Sequence, residues 1–159
     1  MIQIKPPQES ETISKGLFLA GAITGAPNWQ EDVVRLLGSE NITIFNPRRD
    51  IFPVDNPNSA EAQIRWECKY LRRADAISFW FAMESLSPIV LYELGAWSMT
   101  EKTIFVGVHP KYKRKLDVEI QTKLARPDVR IAYSLDSLVD QIKTWSKIDD
   151  TINRLEDAV

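Results

Sequence analysis

The sequence predicts an α/β fold, on three observations. Short apolar runs alternate along the chain with segments of helical spacing, the pattern that builds parallel sheets. The runs are almost continuously apolar, as in AISFWF (Ala76 to Phe81) and TIFVGV (Thr103 to Val108), which suits strands covered on both faces. The chain has 159 residues, 44% hydrophobic and 26% charged, enough for one ordinary globular core. A single flavodoxin-like domain over residues 1–159, with a doubly wound parallel five-stranded sheet of order 2-1-3-4-5, accommodates all three.

Taken in order, residues 1–15 read as a frayed or edge-lying start, with Pro6 and Pro7 blocking regular structure. Gly16 to Gly21 (GLFLAG) is the first strand, running into a turn around Gly21, Thr24 and Gly25. Glycines let backbone approach a ligand closely, and a Thr hydroxyl can bond it; a tight turn with no ligand is the other reading. The G-x-G-x-x-G spacing of a dinucleotide site is absent. Asn28 to Leu37 is a helix capped by Asn28, with Trp29, Val33, Leu36 and Leu37 on its inner face. Ile42 to Phe45 is the second strand. The loop after it carries Arg48 and Arg49, passes Pro53 and Pro57, and is long enough to suggest function. The two arginines could hold an anion or simply be solvated.

A helix from about Ser59 to Arg73 follows, with Ile64, Cys68 and Leu71 as its predicted inner face and Glu67 bordering it. By spacing alone Glu67 fits an exposed position better than a buried one. The third strand, Ala76 to Phe81, leads through Ser85, Ser87 and Pro88 into a helix; Ser followed by Pro is a helix-start signature. Thr103 to Val108 is the fourth strand. A basic loop (HPKYKRKLD, His109 to Asp117), a helix from about Val118 to Lys123 and a short strand, Val129 to Ala132, come next. Leu135, Leu138, Val139, Ile142 and Trp145 form the stripe of the last helix; the tail 149–159 is expected to fray or to dock on a partner, with Trp145 as an exposed aromatic beside it.

Composition excludes several classes. A net charge of −2 gives no reason to expect a nucleic-acid polymer as partner, and no apolar run is long enough for a membrane span. The start lacks an apolar signal core, and the single Cys68 cannot form an internal disulfide, so a cytoplasmic setting is expected. One Cys and one His, far apart, do not make a transition-metal site.

In the order 2-1-3-4-5 the switch point lies between the first and third strands, where such sheets bind ligands. It brings together the Gly21 turn, the Ser85 to Pro88 loop and Glu93, with Glu67 in reach. Ile89 and Trp97 lie four residues on either side of Glu93, so its carboxylate is expected to run along an apolar face towards the sheet. A carboxylate in such surroundings is costly unless paired or functional. A surface position with a different helix phase is the other reading.

Two motifs carry a family resemblance. Phe18-Leu19-Ala20-Gly21-Ala22-Ile23 resembles the first strand and turn of the nucleoside 2-deoxyribosyltransferase family. Ala74-Asp75, an apolar strand and then Tyr92-Glu93-Leu94-Gly95 look like its central signature, so that the resemblance spans about Leu17 to Val108. Members of this family move deoxyribose between bases or cut the N-glycosidic bond of nucleoside monophosphates. The resemblance implies Glu93 as nucleophile, Glu67 as the second acid and contacts from the motif positions Phe18, Gly21 and Ile23 and from Ser87; the placement of the loops at the switch point adds Thr24, Arg48, Arg49 and Ser85 as expected substrate contacts. The resemblance also implies a nucleoside or nucleotide as ligand, no cofactor, and a homodimer or larger assembly. Two positions depart from the family. Phe18 stands where Tyr is common, and Ser87, six residues before the nucleophile, stands where transferases tend to have Asp. A Ser there resembles the monophosphate hydrolases. The competing reading is a nucleotide-sensing module of the same fold without catalysis.

Overall fold

The computed structural model describes residues 1–11, 14–51 and 57–148. Among them six parallel strands form one sheet flanked by five helices: β1 (Ile2–Ile4), β2 (Lys15–Gly21), α1 (Trp29–Leu37), β3 (Ile42–Phe45), α2 (Ser59–Arg73), β4 (Ala76–Phe81), α3 (Pro88–Ser98), β5 (Thr103–Val108), α4 (Lys115–Ala125), β6 (Ile131–Ala132) and α5 (Leu135–Ser146). The sheet order is β1-β3-β2-β4-β5-β6, which is the predicted doubly wound order with one strand added at its edge. That strand, β1, pairs in parallel with β3, Ile2 opposite Thr43 through Ile4 opposite Phe45. Three residues of chain before the two prolines are enough to extend the edge.

Alternation along the strands divides the core in two. Phe18, Ala20, Phe45, Ile77, Phe79, Phe81 and Val106 face α2, α3 and α4, meeting Trp66, Tyr70, Val90, Leu94 and Val118. Leu17, Leu19, Ile44, Ala76, Trp80 and Phe105 face α1 and α5, meeting Trp29, Val33, Leu37, Leu138, Val139 and Ile142. At the lower end, Asp75 Oδ2 accepts from the Gly16 amide at 2.6 Å, pinning β2 to β4. The helices on the second face are capped as their sequences imply: Asn28 Oδ1 accepts from Glu31 N, and Ser134 Oγ from Ser137 N.

Several boundaries and faces differ from expectation. Helix α4 starts at Lys115, because the pairs Arg114–Asp117 and Lys115–Glu119 lie at helical spacing and extend it into the basic loop. Strand β6 is only Ile131–Ala132, since Val129 N is held in a turn by Arg126 O. In α2 the inward residues are Trp66, Tyr70 and Leu71, whereas Ile64 and Cys68 are exposed. The aromatic pair buries more apolar area than the aliphatic one and wins the phase of the helix. Trp145 is also corrected: its ring packs edge-on against Phe105 at 5.8 Å, with Lys15 Nζ 4.4 Å from its centroid. Pro53 and the tail 149–159 lie outside the described residues.

Candidate active site

Strands β2 and β4 are neighbours, Gly21 opposite Trp80, yet the chain leaves β2 for α1 on one face and β4 for α3 on the other. The loops part at that point, and a cavity of about 720 Å³ opens there between α2 and α3.

The β2–α1 turn forms its first wall. Gly21 is set by packing: a Cβ there would come within 2.3 Å of the Trp29 ring and 2.8 Å of the Trp80 carbonyl oxygen. Trp29 Nε1 donates to Ala22 O at 3.0 Å, fixing the start of the turn, and Gly25 takes φ +72° to reverse the chain. Arg48 braces the same turn. Its Nη2 lies 3.0 Å from Ile23 O, 3.2 Å from Ala26 O and 2.9 Å from Pro27 O.

The β4–α3 loop forms the second wall. Ser87 sits at the helix N-terminus in the left-handed region (φ 49°, ψ 53°), the one non-glycine with positive φ among the described residues. Ser at this position predicts a side-chain cap, and the structure corrects that: Ser87 makes no cap hydrogen bond. A capping residue is normally extended at this point. Here the Ser87 hydroxyl instead donates to Ser85 Oγ at 3.4 Å, and Ser85 Oγ accepts from the Ser87 amide at 3.1 Å. Behind the loop, the buried Tyr112 hydroxyl donates to Leu86 O at 2.7 Å while its ring packs on Phe81. Nothing in the spacing of the basic loop marks Tyr112 for that role.

Helix α3 carries Glu93 to the cavity. Its buried ridge is Val90, Leu94 and Ser98, one residue out of phase with the predicted ridge. Ile89, Glu93 and Trp97 do share a face, but that face lines the cleft and does not lie on the sheet. The helix is apolar almost all round, so periodicity hardly constrains its phase. Glu67, from α2, lines the same cavity. Its Oε1 accepts from Gln63 Nε2 at 2.7 Å; the same Nε2 donates to Pro47 O at 2.8 Å, and Gln63 Oε1 accepts from Arg49 Nε at 2.6 Å. The i, i+4 spacing of Gln63 and Glu67 was a usable signal for this bond.

Eight residues singled out in the sequence therefore share one cavity: Phe18, Gly21, Ile23, Thr24, Glu67, Ser85, Ser87 and Glu93. Arg48 and Arg49 are not among its lining residues, because carbonyl oxygens and Gln63 engage them behind its walls. Burial, and then the negative charge of Glu67, push the Glu93 carboxyl up to about 7. Burial also raises Glu67, against the opposing effects of the Gln63 hydrogen bond and the Arg49 charge. The two carboxyls face one cavity, so negative charge on Glu67 disfavours negative charge on Glu93. Among the described residues no group of three His, Cys, Asp or Glu side chains could hold a metal ion. No helix among them is long and apolar enough to cross a membrane.

A doubly wound α/β protein with two coupled carboxyls in a mostly apolar cleft at its switch point is built to act on a small organic molecule. The family described as nucleoside 2-deoxyribosyltransferase like matches residues 14–112, which takes in every wall of the cleft, and the chain belongs to that family. Membership implies a nucleoside-type small molecule as ligand and deoxyribosyltransferase-like chemistry. No curated protein matches the chain significantly.

Proposed function

We propose that the protein cleaves the N-glycosidic bond of a nucleoside or nucleoside 5′-monophosphate, passing the sugar to water or to a second base through a glycosyl ester on Glu93. The observation that carries this reading is the pair Glu93 and Glu67 facing one cavity, with no basic side chain bonded to Glu93 among the described residues. The Glu93 carboxylate attacks C1′ as the bond to the base breaks, and Glu67 gives its proton to the departing base nitrogen. Water or the acceptor base then opens the ester, returning its proton to Glu67. Positive charge growing on the sugar favours the anion on Glu93 and leaves the proton for the leaving base on Glu67.

A 5′-phosphate is the favoured substrate feature. Ser85 and Ser87 line the cavity beside the start of α3, whose first amides carry no side-chain cap, and a helix N-terminus attracts an anion. The arginines have no direct part in this contact, since both are engaged elsewhere. A homodimer or larger assembly accompanies the reading: α3 carries apolar side chains all round apart from Glu93 and Ser98, and Ile89, Tyr92 and Met99 are 65, 77 and 81% exposed on the single chain. A helix of that kind belongs in an interior. Static light scattering should give at least twice the 18.2 kDa chain mass.

The test is incubation with a panel of nucleosides and their 5′-monophosphates, following free base. Release from the monophosphate with an efficiency about tenfold to a thousandfold above the nucleoside is expected, the scale of one or two charge-assisted hydrogen bonds. Tight binding without release across the panel would favour a sensing module instead.

A further inference from the structure

We propose that Gln63 is a positioning residue that fixes which oxygen of Glu67 carries the proton given to the leaving base. The inference rests on the reading of Glu67 as the acid, but its core is a matter of geometry. The amide of Gln63 can take only one orientation. Pro47 O is purely an acceptor, so the group facing it at 2.8 Å must be Nε2, and Oε1 must then meet the Arg49 Nε–H at 2.6 Å. Both hydrogens of Nε2 are thereby used, one on Pro47 O and one on Glu67 Oε1 at 2.7 Å. Glu67 Oε1 is an acceptor in either protonation state, and the carboxyl proton can sit only on Oε2.

The chain of contacts also ties the loop after β3 to α2. Arg49 and Pro47 belong to the loop leaving β3, whereas Gln63 and Glu67 lie one turn apart on α2. The loop therefore locks the Gln63 side chain, and Gln63 locks the carboxyl. When the C1′–N bond breaks, the Oε2 proton moves to the base nitrogen and Glu67 is left as a carboxylate. That charge is met at Oε1 by the Gln63 N–H, polarised by the Arg49 guanidinium behind it. Among the described residues, the other charged groups lining the cavity with Glu67 are Glu93 from α3 and Arg72 from the last turn of α2. Arg49 thus serves the site through Gln63, in place of the direct anion contact expected of it.

Gln63→Met keeps the length of the side chain and removes the amide. In protein labelled with ¹³C at the Glu carboxyl carbons, with the Glu67 signal assigned by its loss in Glu67→Gln, the substitution should raise the Glu67 midpoint by about one pH unit. Arg49→Met, which leaves the Gln63 to Glu67 bond in place, should raise it by less. In turnover, Gln63→Met should lower kcat about tenfold for a poor leaving base and less for a good one, with KM little changed. In a Glu67→Gln background it should cause no further loss, which a merely structural role would not produce. A Glu67 midpoint unmoved by Gln63→Met, or losses that multiply in the double variant, would overturn the proposal. If the wild type releases no base from any substrate while the midpoint still moves, the enzymatic reading falls and the placement of the proton stands.

Discussion

The two faces of the sheet are built on different rules. On the face of α1 and α5 the helices are amphipathic and capped, and their inner residues Val33, Leu37, Leu138, Val139 and Ile142 are almost wholly buried. On the face of α2 and α3 a left-handed Ser87 starts a helix without a side-chain cap, two carboxyls are desolvated in one cleft, and large apolar side chains are left uncovered. Each of those features costs stability, by about 1 kcal/mol or more. The difference shows where strain is concentrated: one face is packed and capped throughout, while the other holds a strained, desolvated cleft above its own buried aromatic cluster.

That contrast can be broken from either side. The largest effect is expected at Glu93. Glu93→Gln should lower base release by about a thousandfold or more while circular dichroism and thermal unfolding show an intact fold. Near-full turnover in this variant would remove the covalent step. The mirror experiment is Leu138→Ala on the opposite face, where a fully buried side chain is truncated. Denaturant unfolding should show a loss of about 2–5 kcal/mol, with turnover per folded molecule unchanged. Glu67→Gln comes next, with a loss of at least about a hundredfold for poor leaving bases and less for good ones. Equal losses across leaving groups would assign Glu67 a role other than acid.

The smallest effect sharpens the comparison most directly, because it reads the cost of the cleft itself. The Glu93 carboxyl titrates near 7 in the folded chain, above its ordinary value of 4.5. Between those values the folded state binds the extra proton, so wild-type stability falls as pH rises through that window and is level above it. Glu93→Gln has no such penalty. It should match the wild type near pH 4 and exceed it at pH 8 by on the order of 2 kcal/mol, roughly 4–8 °C in Tm. A difference independent of pH would mean that the cleft imposes no desolvation cost on Glu93.

Legible in the chain were the alternation of strands and helices, the order of five of the six strands and the switch point with the loops around it. Continuous apolar strands and Gly, Pro and Asn punctuation are local signals, and the right-handed crossover leaves little choice of topology once they are placed. Three matters were decided only in three dimensions. The phases of α2 and α3 were one, because both helices carry apolar residues on more than one face and only packing against the sheet chose among them: Trp66 and Tyr70 over Ile64 and Cys68, Val90 and Leu94 over Ile89. The task of the arginines was another. A guanidinium at a strand end reads as an anion site in any sequence, and only the folded turn puts Ala26 and Pro27 carbonyls in front of Arg48 and the Gln63 amide in front of Arg49. The last was the proton affinity of Glu93, which depends on burial in the folded cleft and on the charge of Glu67, a residue 26 positions away in the chain. Electrostatic coupling of that kind has no sequence period, so only the tertiary structure brings it about.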